Sequence, residues 1–174
     1  MAEGNLLVEV KKLRANARFG KKKHFNASGR KSGYQTKINI PVIVMNITVG
    51  TSLFAIFNNK IPEVWGYVSA AIAWLSAILV GLGEHFKFGE QSESHNSIGN
   101  RYLNFIRDCD LVIADYQDGV INDSQLSQSL KSLASELGQI DASAGKYTTN
   151  NDDYKKAQEG INAGEEEYTE TDLK

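Results

Sequence analysis

Cysteine, proline and histidine are scarce in this chain of 174 residues, which has one Cys, two Pro and three His. A lone thiol, Cys109, excludes an internal disulfide and any cysteine-rich metal site. His24, His85 and His95 form no pair at metal-ligand spacing on one helical turn. Neither a GxxxxGK[ST] phosphate loop nor a GxGxxG turn after a strand occurs. No strand pattern of any length is present, so an all-α fold is expected. These absences argue against an enzyme, and neither a cofactor nor a bound metal is expected.

Charge is missing from the middle of the chain and unevenly shared outside it. Between residues 38 and 82 only Lys60 and Glu63 are charged. Residues 1–37 hold ten Lys or Arg against Glu3 and Glu9, a net of +8, while residues 83–174 hold eight basic and eighteen acidic residues, a net of −10. Such asymmetry points to a membrane or nucleic-acid partner, or to an acidic tail. The run KKKH, residues 21–24, reads as an orientation signal or a lipid contact beside a membrane segment rather than as a nucleic-acid patch. Direct nucleic-acid binding is not expected.

Two charge-free segments of twenty residues each fill the neutral middle: INIPVIVMNITVGTSLFAIF, 38–57, and VWGYVSAAIAWLSAILVGLG, 64–83. Each would reach about 30 Å as a helix, the thickness of a bilayer's hydrocarbon core. The link NNKIPE, with Pro62 as a breaker, is short enough to force an antiparallel hairpin. A soluble core helix normally keeps a polar face toward water. Two successive segments without a charged face read instead as a transmembrane hairpin. Trp65 and Tyr67 at one side, and Tyr34, Phe86 and Phe88 at the other, resemble interfacial aromatic belts. The basic flank places both termini in the cytoplasm by the positive-inside rule. The first long apolar run begins about forty residues in, without a preceding small-residue cleavage site, unlike a secretory signal peptide.

Within the hairpin, Gly66, Ala70, Ala73, Ala77 and Gly81 recur at helical spacing, with Ser69 and Ser76 alongside. Small residues let helix backbones approach closely in lipid, either inside the hairpin or between subunits. The first segment carries Asn39, Asn46, Thr48, Gly50, Thr51 and Ser52, and Asn39, Asn46, Gly50 and Leu53 share a stripe. Asn46 falls near the midplane, where an amide needs a polar partner or water. It is a candidate either for gluing helices together or for lining an oligomeric pore. Pro41 is expected in a first helical turn, where its missing N–H costs little.

Outside the hairpin, Leu6, Val10, Leu13 and Ala17 mark an amphipathic basic helix. After it, Ile98, Tyr102, Phe105, Cys109, Val112 and Tyr116 follow spacings of four, three, four, three and four, an apolar seam suited to a bundle. Cys109 sits in that seam and reads as a small core residue, not a nucleophile. Glu84, Glu90 and Glu93 read as a solvated face. Asp123 or Ser124 can cap the next helix, lined by Leu126, Leu130, Leu133 and Leu137 and closed by Gly138. A weaker helix covers 152–163, and the ending GEEEYTETDLK is acidic and frayed.

The expected organisation is therefore a basic cytosolic helix over 1–37, a transmembrane hairpin over 38–83, a cytosolic helical region over 84–148, and a weak helix with an acidic tail over 149–174. This layout, with KKLRANARFGKKKHFNASGRKSGYQTKIN before the hairpin, FKFGEQSESHNSIGNRYLNFIRDC after it and TTNNDDYKKAQEGINAGEE in the tail, resembles the SLATT family. These are two-transmembrane effector domains of bacterial anti-phage and conflict systems. The resemblance covers essentially the whole chain, through an arrangement more than a signature.

It implies an oligomeric inner-membrane effector that forms a pore or perturbs the membrane, causing growth arrest or cell death. The trigger would come from a separately encoded nucleotide-synthesising enzyme or reverse transcriptase. The family has no catalytic residues to carry over; Glu90, His95 and Tyr102 match as structural positions, and with Phe105 and Cys109 they are candidates for a cytosolic coupling helix. The rival expectation is a non-conducting adaptor whose hairpin anchors partner-recruiting helices.

Overall fold

The computed structural model describes residues 4–167, and the last part of the expected acidic tail, 168–174, lies outside them. Five helices succeed one another: α1 (Asn5–Phe57), α2 (Trp65–Phe86), α3 (Phe88–Gln117), α4 (Asp123–Ala144) and α5 (Asn151–Asn162). The described residues contain no strand, so the fold is all-α. They divide into two compact units, one of residues 4–28 with 93–167, the other of residues 29–92.

The basic segment and the first apolar segment form one helix of 53 residues, with Pro41 in its interior and not in a first turn. Nothing before Pro41 stops the helix: Gly20, Gly29 and Gly33 are isolated, and a single helical glycine costs only about 1 kcal/mol. Proline is tolerated inside membrane helices because lipid offers the backbone no better alternative than the helix itself.

In the unit of residues 29–92, the carboxyl-terminal part of α1 and the whole of α2 make the hairpin. α1 ends in a Schellman motif: Asn59 takes φ 54°, Lys60 N–H donates to the Ala55 carbonyl at 2.9 Å and Asn59 N–H to that of Ile56 at 2.9 Å. Pro62 comes next, as is common just past such an end. None of the most apolar stretch of α1 is buried, and only 17% of its counterpart in the second span. Ile40, Ile43, Val44, Ile47, Phe54, Tyr67 and Trp74 are all exposed. A soluble core helix would bury these side chains; an exposed apolar surface of this extent fits an apolar surrounding such as lipid. Two helices are thus long and apolar enough to span a membrane.

The other unit is a helical bundle. Leu7, Val10 and Ala17 of α1, Ile98 to Ile113 of α3, and Leu126, Leu133, Leu137, Ile140 and Ala144 of α4 form one apolar core. The seam on α3 drifts: Val112 is only partly buried and Ile113 replaces it. A straight helix has 3.6 residues per turn, so a strict 3.5-residue pattern rotates out of the contact. Asn122, not Asp123 or Ser124, caps α4, in a capping box with Gln125, and Gly138 lies inside that helix, which continues to Ala144. α5 opens with a second capping box, Asn150 with Asp153.

Candidate membrane hairpin and buried histidine core

Small residues at heptad spacing close the hairpin. Ser69, Ser76 and Gly83 are the buried residues of α2, and a Cβ on Gly83 would come within 3.5 Å of Ile38. Ser69 donates back to the Trp65 carbonyl at 3.0 Å, satisfying its hydroxyl within its own helix. Ser76 donates across the hairpin to Asn46 Oδ1 at 2.9 Å. Gly66 faces Ile56 at van der Waals range.

The other sequence-derived candidates do not converge on this seam. Ala73 is partly buried, whereas Ala70, Ala77 and Gly81 are exposed. With Trp74 and Ile78, Ala73 and Ala77 line a hollow of about 430 Å³ on α2. On α1, Asn39, Thr48, Gly50 and Leu53 fall outside the buried set of that helix. Asn39 accepts from Gln35 at 3.1 Å, and Thr48 and Thr51 donate to the carbonyls of Val44 and Ile47, each at 2.9 Å. Such back-bonding leaves no hydroxyl demanding an outside partner. Asn46 differs: its amide also carries two N–H donors, and at membrane depth these require water or another polar group.

Four of the five coupling candidates on α3 meet in the bundle. His95 and Tyr102 are 2% exposed, and Phe105 and Cys109 are fully buried. Glu90 is instead exposed in the unit of residues 29–92, ion-paired with Lys87 at 2.9 Å. His95 meets His24 of α1, with 2.9 Å between their Nδ1 atoms, so one ring donates and the other accepts. Around the pair lie the rings of Tyr102, 6.0 Å from His24, and Tyr147, 6.0 Å from His95. Tyr102 Oη donates to Asp141 Oδ1 of α4 at 2.5 Å, and its ring lies where a Cβ on Gly20 would have to go. The space beside Gly99 is filled in the same way by Phe25.

Burial governs the protonation of these groups. Desolvation, reinforced by His95 and Lys23 and opposed by Asp153, lowers His24 to about 4. Burial and then the bond to Asp141 push the Tyr102 phenol up, and burial with Asp110 nearby raises the Cys109 thiol to about 12. The thiol therefore stays protonated at neutral pH, which suppresses nucleophilic chemistry. Sequence reasoning missed His24, Asp141 and Tyr147 as partners. His24 continues the buried stripe of Val10, Ala17 and Gly20; that spacing was readable, but which group it would meet was not.

The described residues hold no group of three or more His, Cys, Asp or Glu able to bind a metal ion. No curated protein and no solved structure matched the chain. One family did: the SMODS and SLOG-associating 2TM effector domain family 4, whose model matches residues 6–173.

Proposed function

The chain belongs to that family of two-transmembrane effector domains, and on this premise we propose that it is a non-enzymatic effector of bacterial anti-phage defence. It resides in the inner membrane with both termini cytoplasmic, assembles as a homo-oligomer, and perturbs the membrane when a separately encoded enzyme, a nucleotide-synthesising enzyme or a reverse transcriptase, signals infection. The outcome is growth arrest or death of the infected cell.

The observation that carries this reading is the division of small residues on α2. Ser69, Ser76 and Gly83 are used up inside the hairpin, while Ala70, Ala77 and Gly81 stay exposed on its surface. Small residues facing lipid singly gain nothing there; against another helix they allow close backbone contact. The net charge of +8 over residues 1–37 supports cytoplasmic placement of the amino-terminal side.

The test is dye release from vesicles containing the full-length protein and its signalling partner. Release is expected from the wild type, and Ala77→Leu, which fills the exposed face without touching the buried seam, should lower it about tenfold. Wild-type release at the level of empty vesicles would refute a pore. A non-conducting adaptor is the second reading, favoured by the Ser76–Asn46 bond, which satisfies part of the mid-membrane amide inside one hairpin. It predicts recruitment of a partner to the membrane with no release.

A further inference from the structure

α5 lies on the bundle without joining its apolar core. Its buried residues are Asp153, Ala157 and Gly160, and no side chain of α5 is in the core cluster among the described residues. The contacts that hold it are polar or peripheral. Asn26 Nδ2 donates to the Asp153 carbonyl at 3.0 Å, Phe19 stacks on the half-exposed Tyr154, and two ion pairs, Lys21–Glu166 and Lys22–Glu165, tie the segment after α5 back to α1. A segment with so little apolar burial opens at low cost compared with the rest of its unit.

Beneath it is a cavity of about 400 Å³ lined by Lys22, Asn26, Lys156, Glu159, Gly160 and Glu165. The lysine side chains at 21 and 22 are only 10% and 13% exposed, so each needs an anion close by. Gly160 leaves the space the Lys22 ammonium and the Glu165 carboxylate use; a Cβ there would collide with both. Glu165 and Glu166 bring two adjacent negative charges, about the charge of one phosphate monoester at neutral pH. Lysine ammoniums with an amide donor beside them suit phosphate oxygens as well as carboxylates. Withdrawal of Glu165 leaves Lys22 and Lys156 with Glu159 as the remaining acidic side chain of the cavity lining.

We propose that the cavity between α1 and α5 is a binding site for a phosphate group, whose place the Glu165 carboxylate on Lys22 takes in its absence, with the Lys21–Glu166 pair next in sequence as a second tie. A phosphate-bearing ligand, free or as a lipid headgroup, competes with the Glu165 carboxylate, and its binding releases α5 from α1. All the residues that line the site belong to the bundle unit, so the proposal does not depend on whether the protein conducts.

Hydrogen exchange of residues 151–167 in the full-length protein tests it. In detergent, pyrophosphate is titrated against sodium chloride at equal ionic strength; in a second arm the protein sits in phosphatidylcholine bilayers with or without phosphatidylglycerol. Pyrophosphate, phosphatidylglycerol or both should raise exchange about tenfold over their controls, and the responding arm identifies the source. Lys22→Ala should abolish the response, and Glu165→Gln with Glu166→Gln should lower the pyrophosphate concentration required about tenfold. Exchange that tracks ionic strength alone and ignores phosphatidylglycerol, or a response that survives Lys22→Ala, overturns the proposal.

Discussion

His24 concentrates much of the tension in this molecule into one side chain: a titratable ring, 1% exposed, with a second imidazole 2.9 Å away. Above its ordinary value of 6.5 it is neutral in both the folded and the unfolded chain, so its titration does not affect stability there. Between 6.5 and about 4 the unfolded chain takes up a proton that the folded bundle refuses. The bundle should therefore lose stability as pH falls through that window, by about 3 kcal/mol in total. Lys23 on the same helix, His95 and Tyr102 on α3, Tyr147 beyond α4 and Asp153 on α5 set the field around it. Urea unfolding in detergent at about pH 7.5, 5.5 and 4.5 measures the slope, and His24→Leu should flatten it. At Lys87 the backbone itself is strained: φ 48° and ψ 43° put a lysine in the left-handed region between α2 and α3. Lys87→Gly should raise thermal stability by about 1 kcal/mol, since the exposed pair with Glu90 contributes little in water.

At the scale of elements, boundaries depend on side-chain chemistry that short patterns leave ambiguous. The stretch INDSQ offers three capping candidates in a row, and Asn122 is the one used because Gln125 lies three residues on and returns the bond. Asn122→Ala should cost about 1 kcal/mol, measured by the same urea titration, with Ser124→Ala near neutral. Gly138 illustrates the reverse: a glycine reads as a stop, yet Leu137 and Ile140 on either side are buried, and their burial carries the helix past it. α1 was legible as two amphipathic and apolar pieces but not as one helix, because no local signal distinguishes a proline that ends a helix from one that lipid obliges it to absorb.

Across the whole molecule, both chain crossings between the two units are helical. α1 passes from Ser28 to Gly29 and α3 from Ser92 to Glu93 without a break. Helices transmit displacement where loops would absorb it, and α1 runs unbroken into the hairpin, whereas the path along α3 meets the left-handed Lys87 before α2. Two glycines inserted after Ser28 add about 2 kcal/mol of helix cost at that point and turn the remainder of α1 by about 200°. The hairpin should still insert and the bundle should still fold, while signal-dependent dye release falls about tenfold; release equal to wild type would mean that α1 is not a route of coupling.

The sequence alone determined the all-α class, the two spanning segments and the apolar stripes of the bundle, because periodicity and absence of charge act over neighbouring residues and need no partner to be read. The three-dimensional arrangement decided which small residues face inward: Ser69, Ser76 and Gly83 close the hairpin and leave Ala70, Ala77 and Gly81 outside. It also brought His24 to His95 across 71 positions and Lys22 to Glu165 across 143. Such meetings depend on the rotation of each helix about its axis, which is set by the summed packing of all its neighbours.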